Sequence, residues 1–425
     1  MFFSRYWDKV LLDVAFKKLH IRIGEHNYVQ SEKIDEASMD LGIDPIHIPK
    51  IFKSNIILKI GHLHLSRIRT EAASRGMNRI LEKLSENKNA LTSLEIRNCE
   101  NIESLNLESL LTNLQSLVLL DLTGRDHFFT TSGGLSSIVE KISRSDVPLE
   151  KLLIHHRDLD KINDETVSDA FCKMKEVEVT WSMSKTQTTL MFLKIAKGSS
   201  NIKKLLVEEW GKIQLDYNQI TPDSFTLAIC KIEELKTDFS SKEHTKMLFE
   251  TLSKNPGQLK SLTFADLSTI EDVADANTIA QAVCNLEKIF FESDISEGVQ
   301  TAIFRIIANK KGVRLKTLHM QSVIKCRDTM TFIKATLTLE NVYFFIGDDL
   351  VAQQVDNMLL DRMLKEEDCK LKCVTLIFRN PKHFNHNKKL FQYPKEKLVR
   401  IKEKIGKLNI FYSPFCRGGF EKLFS

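Results

Sequence analysis

Leu259-Lys260-Ser261-Leu262-Thr263-Phe264 returns as Leu286-Glu287-Lys288-Ile289-Phe290-Phe291, and again as Leu315-Lys316-Thr317-Leu318-His319-Met320. Each time an apolar residue is followed three and five positions later by two more. Working outward, the same L-x-x-L-x-L spacing occurs at Leu91-Leu94-Ile96, Leu117-Leu120-Leu122, Leu149-Leu152-Ile154, Met174-Val177-Val179 and Ile202-Leu205-Val207. It recurs at Leu339-Val342-Phe344 and Leu371-Val374-Leu376, with weaker copies at Ile60-Leu63-Leu65, Ile232-Leu235-Thr237 and Ile405-Leu408-Ile410. The spacing between copies is roughly 28 residues, a period that marks a solenoid, in which each unit buries its apolar side against its neighbours.

The last two apolar positions of each copy alternate, the period-two pattern of a short strand with one buried face. Stretches of helical period lie between the strands, clearest at residues 71–86, 242–252, 273–283, 299–308 and 351–364. A strand, a helix and a return within one period form a βα unit, and identical connections make adjacent strands parallel. Helices are wider than strands. The stack therefore reads as an α/β horseshoe solenoid, with parallel strands on the concave face and helices on the convex face, over residues 60–425. A second repeat supports it: Ala170-Phe171-Cys172-Lys173-Met174, Ala228-Ile229-Cys230-Lys231-Ile232 and Ala282-Val283-Cys284-Asn285-Leu286 are one segment in three versions. Cysteine recurs there as a small apolar residue where a helix end meets the next strand.

These residues resemble leucine-rich repeats of the long, helix-containing class typified by the ribonuclease inhibitor, across residues 60–410. The Asn or Cys that follows the strand in that family is clear only at Cys99. The resemblance implies a non-catalytic protein that grips a partner on its concave face. Residues 1–59 read as an N-terminal cap and a connector rich in turn formers (Gly42, Pro45, Pro49). Within them, Arg5-Tyr6-Trp7, Leu11-Leu12, Asp13, Phe16 and Leu19-x-Ile21 resemble the tail of an F-box running into its first repeat strand. Two readings of residues 1–22 stand side by side: an amphipathic cap on the first repeat, or an F-box remnant implying a ubiquitin-ligase adaptor as partner.

Hydrophobic content of 42% and charged content of 28% belong to an ordinary globular chain. The net charge of +5 is concentrated at residues 381–407, which hold nine Lys or Arg against Glu396 and Glu403. Nucleic acid is therefore not an indicated partner for the rest of the chain. That stretch reads as a long basic loop, with a solvated loop and an exposed helix face favoured over contact with phosphates. No uncharged run is long enough to cross a bilayer, and the start lacks the continuous apolar run of a signal peptide. With eight scattered cysteines, a cytoplasmic or nuclear location with reduced thiols is the expectation.

Cys369-x3-Cys373 with His383-x2-His386 is too closely spaced for a usual zinc finger. No phosphate-binding loop, nucleophile elbow or H-E-x-x-H occurs, and no nucleophile, base and orienting group can be argued together. Neither a cofactor nor a metal is expected, and the chain reads as a non-enzyme.

Recognition would then fall to strand residues beside the buried ones. Early strands present His62, His64, Glu95 and Arg97; middle ones Glu176, Glu178, Lys204, Glu208, Glu234 and Asp238; later ones Lys288, Phe290, Glu292, His319, Tyr343, Phe345, Ile377 and Phe411. An aromatic group (Phe290, Tyr343, Phe345, Ile377, Phe411) beside an acidic one (Glu176, Glu178, Glu208, Asp238) is the expected partner site, rings supplying binding energy and charges selectivity. Three roles fit such a scaffold: a substrate-recognition subunit of an F-box-type ubiquitin ligase, a direct enzyme inhibitor of the ribonuclease-inhibitor type, or the sensor part of an innate-immune-like receptor.

Overall fold

The computed structural model describes residues 19–24, 39–43, 58, 60–66, 68, 70–86, 90–113, 117–123, 133–144, 149–155, 159, 161–179, 183–207, 213–216, 218–237, 242–264, 275–292, 295–310, 312–325, 327–346, 350–367, 369–379, 395–413 and 421–422. It divides into two compact units, Met1–Ala228 and Ile229–Ser425. Residues 1–18, which carry most of the F-box resemblance, lie outside the described residues, as does the basic stretch 380–394 with His383 and His386.

The first unit contains β1 (Leu19–Gly24), β2 (Met39–Ile43), β3 (His62–Ser66), β4 (Ser93–Arg97), β5 (Leu119–Thr123), β6 (Lys151–His155), β7 (Glu176–Val179) and β8 (Lys204–Val207). Its helices are α1 (Glu71–Glu86), α2 (Ser104–Asn113), α3 (Gly134–Arg144), α4 (Asp164–Lys173) and α5 (Lys185–Lys197), and α6 (Pro222–Lys231) carries the chain into the second unit. There follow β9 (Glu234–Thr237), α7 (Lys242–Lys254), β10 (Ser261–Phe264), α8 (Ala276–Asn285), β11 (Lys288–Phe291), α9 (Glu297–Asn309) and β12 (Thr317–Val323). The unit continues through α10 (Thr329–Thr338), β13 (Asn341–Ile346), α11 (Leu350–Lys365), β14 (Cys373–Arg379), α12 (Lys395–Ile405), β15 (Lys407–Ser413) and a short β16 (Glu421–Lys422).

All thirteen leucine signatures end in strands, β3 to β15. Within each unit, successive strands pair in parallel: β3 through β8 in the first, β9 through β15 in the second. This is the α/β solenoid that the periodicity predicts. From Ile60 to Leu376 every signature position is buried. Helix rings pack on this face of the strands: Phe249 of α7 meets Phe264 of β10 edge-on at 5.7 Å, and Phe304 of α9 meets Phe344 of β13 at 6.1 Å. The other face alternates with it and is the open face of the sheet.

Two devices hold neighbouring repeats in register. The residue before the strand-forming alternation donates its backbone N–H to its counterpart one repeat back: Lys260 to Glu233, Glu287 to Lys260, Lys316 to Glu287, Glu340 to Lys316 and Lys372 to Glu340. Their side chains alternate in sign along the same row, pairing Lys260–Glu233 at 2.7 Å, Lys316–Glu287 at 3.0 Å and Lys372–Glu340 at 2.8 Å. These bonds raise the Lys260 pKa above, and hold Glu287 and Glu340 below, their ordinary values. The second device is the recurrent cysteine. The carbonyls of Cys172, Cys230 and Cys284 accept the backbone N–H of Asn201, Gln258 and Arg314, each in the turn leading to the next strand. Cys172 and Cys284 are buried, as core packing requires, while Cys230 is half-buried.

The structure corrects two sequence expectations. Residues 39–43, placed in an irregular connector, form β2, which pairs with the far side of β1 to give the order β2-β1-β3, all parallel. The signal was there: Met39, Leu41 and Ile43 alternate, but nearby Gly42 and Pro45 mask the pattern. The basic stretch is not a loop throughout, since residues 395–405 form α12. Leu398, Ile401 and Ile405 sit at helical spacing and are buried, so exposed Arg400, Lys402 and Lys404 form the solvated side of this helix.

Candidate functional site

The best-defined feature of the open face is a row of rings in the second unit. Strand register sets Phe290 opposite His319 and His319 opposite Tyr343. The helix-facing neighbours (Ile289 and Phe291, Leu318 and Met320, Val342 and Phe344) are all buried, and strand alternation turns the residues between them to the opposite side. Ring centroids lie 5.5 Å apart for Phe290–His319 and 3.9 Å for His319–Tyr343. Phe345, two residues on, meets Tyr343 edge-on at 5.8 Å. All four side chains are half-buried, so their rings support one another and still reach solvent.

His319 is the member that residue-type reasoning undervalues, since a histidine on a strand says nothing of its neighbours. Its imidazole is flanked by Phe290 and Tyr343, its Nε2 is buried without a hydrogen-bond partner, and burial pushes its pKa down to about 4. The ring is therefore neutral at pH 7 and acts as a third aromatic. Burial also raises the Tyr343 phenol. Beside Phe290, Lys236 of β9 reaches Glu292 at 3.2 Å, giving the apolar row a paired charged border.

The other predicted residues distribute differently. Register puts Phe345, Ile377 and Phe411 in one row, yet Ile377 is only 1% exposed. It packs and does not project: Cys373-Val374-Thr375-Leu376-Ile377 is a nearly continuous apolar run, as in a strand covered on both faces. The backbone of Phe411 belongs to β15, and its side chain lies outside the described residues, as do Glu208 and Asp238. Glu176 and Glu178 lie on β7 in the first unit, half-buried. Glu176 is held between Lys151 at 2.6 Å and Lys204 at 3.9 Å, so the charge on this strand is paired. The earlier strands are paired too. His64 Nδ1 lies 3.0 Å from Glu95, which also meets Arg97 at 3.2 Å, and Arg97 Nε donates to Asp121 at 2.8 Å.

No family model matches the chain, and no curated protein matches it. Among solved structures it is similar to the leucine-rich repeat-containing protein LegL7 from Legionella pneumophila, at 12% identity over 77% of this chain and 94% of that one, with a TM-score of 0.36.

Among the described residues, no group of three or more His, Cys, Asp or Glu side chains is placed to hold a metal ion. No helix among them is long and apolar enough to cross a membrane. What the open face offers chemically is ring surface, hydrogen-bonding edges and paired charges.

Proposed function

We propose that this chain is a non-enzymatic protein-binding scaffold, with the row Phe290, His319, Tyr343 and Phe345 as the centre of its partner site. One observation carries the reading: a continuous line of half-exposed rings on parallel strands. Rigid aromatics held by their neighbours lose little freedom on binding and supply most of the energy of protein interfaces. Glu176 and Glu178, with Glu208 and Asp238, are proposed as a separate set of charged partner contacts. The role we favour is substrate recognition for an F-box-type ubiquitin ligase, on the N-terminal resemblance at Arg5-Tyr6-Trp7.

Affinity purification with mass spectrometry tests both levels. Wild-type chain is expected to recover ubiquitin-ligase adaptor subunits together with a substrate protein. Tyr343→Ala with Phe345→Ala should weaken the substrate at least about tenfold while keeping the adaptor and the melting temperature. A recovery that holds one stoichiometric enzyme and no ligase subunit would replace the ligase role with inhibition. Unchanged substrate binding in the double variant would remove the aromatic row as the site.

A further inference from the structure

On the helix side of the second unit, away from the open face, a cleft of about 430 Å³ lies between α10 and α11. The helices that flank it belong to repeats of unequal length. The repeat from Asn341 to Cys373 is longer than the one before it and places a 16-residue helix beside a 10-residue one. Met330, in the first turn of α10, remains 47% exposed at the edge of the gap.

The lining has two characters. Ile333 and Leu337, one helical turn apart on α10, form a buried apolar floor, with the Met330 thioether beside it. The charged lining is unbalanced: Lys334 and Arg362 against Glu366. Arg362 is engaged, donating to Glu366 at 2.8 Å. Lys334, exposed, has no carboxylate partner among the described residues. An apolar floor beside one uncompensated cation is complementary to a molecule with an apolar body and a single negative end, and the volume is that of ordinary small-molecule sites.

We propose that this cleft binds a small amphipathic carboxylate, its chain on Ile333, Leu337 and Met330 and its carboxylate on Lys334. The proposal is independent of the open-face reading, because none of these residues belongs to the aromatic row.

Isothermal titration of the full chain with octanoate, and with the uncharged probe 1-octanol, decides it. Octanoate should bind saturably at one site. Lys334→Glu, a surface change, should weaken octanoate about tenfold or more while leaving octanol unchanged. Met330→Trp, which fills the mouth from an exposed position, should weaken both. Melting temperatures within about a degree of wild type would show that the variants fold. Non-saturable octanoate binding, affinity indifferent to both substitutions, or equal loss of the two probes in Lys334→Glu would each overturn the assignment. A helical peptide that binds the cleft with octanoate failing to compete would overturn it too, in favour of a protein occupant.

Discussion

Thr237 stands where every strong copy of the leucine signature has an apolar residue. It is fully buried, and its Oγ1 has no hydrogen-bond partner. A buried hydroxyl without a partner costs about 1–3 kcal/mol in desolvation. Thr237→Val replaces that hydroxyl with a methyl of similar shape and is expected to stabilise the protein by about 1 kcal/mol. A higher urea midpoint at unchanged slope is the readout; a lower midpoint would mean that the hydroxyl has a partner in the folded protein. The cysteines are a contrasting case. Cys284 is 2% exposed, and burial pushes its pKa up to about 12, so it behaves as the small apolar residue that its recurrence implied.

At the scale of elements, the solenoid depends on close approaches between a helix end and the turn of the next repeat. Gly257, in the turn between α7 and β10, has φ +57°, and a Cβ there would lie 2.5 Å from both the Cβ and the carbonyl oxygen of Cys230. Neither neighbour can move without shifting the end of α6, whose Cys230 carbonyl already accepts the Gln258 N–H at 2.7 Å. Gly257→Ala should therefore cost about 2 kcal/mol or more, from overpacking added to left-handed strain. Gly312→Ala is the control: φ is +81° there, but nothing lies within 4 Å of the added carbon. Only the backbone penalty remains, about 1 kcal/mol. Equal losses in urea denaturation would show that the close approach to Cys230 is not what demands glycine.

For the molecule as a whole, acid should act in two stages. His319 has its pKa lowered from 6.5 to about 4 because burial disfavours the imidazolium, and the rings against it, Phe290 and Tyr343, bring no counter-charge. As pH falls from 6.5 towards 4, the unfolded chain takes up this proton and the folded chain does not. Stability therefore declines across that window and is fully present only above it. The second stage belongs to carboxylates held below their ordinary values by hydrogen bonds and lysines: Asp275 and Asp328 as helix caps, Asp216 in a turn, Glu287, Glu340 and Asp361 in ion pairs. Their contribution is present above the ordinary carboxylate pKa and fades as pH drops through the lower folded values. The urea midpoint measured from pH 7 to pH 3 should fall throughout. His319→Phe should flatten the part between 6.5 and 4 and leave the lower part intact. An unaltered upper slope in that variant would show that the imidazole titrates freely.

How much of this was legible beforehand varies by residue. Leu262, Ile289 and Leu318 announced their strands because a period repeated thirteen times cannot arise from local chance. The ring row was half legible: alternation sends Phe290, Tyr343 and Phe345 to the open face. It does not say that His319 becomes neutral between them, because that depends on how deeply three strands bury it. Ile377 obeys the same alternation and is nonetheless covered. Gln187 was legible only as the end of a Ser184-x-x-Gln187 capping box, and Gln300 not at all. Each is fully buried on a helix and donates to two backbone carbonyls, Leu159 and Ile162 for Gln187, Ile295 and Val323 for Gln300. Nothing around Gln300 separates it from a solvated glutamine, and the capping box does not say that Gln187 also reaches the carbonyls of the preceding repeat.

The chain's periodicity by itself determined that parallel strands and helices would alternate and which leucines would be buried, because those outcomes follow from spacing along one strand or helix. Only the tertiary structure decided which open-face side chains remain reachable, where β2 pairs, and that a cleft opens between α10 and α11. Those depend on distances between repeats, and inter-repeat packing is set by helix lengths and neighbouring side chains that no single repeat encodes.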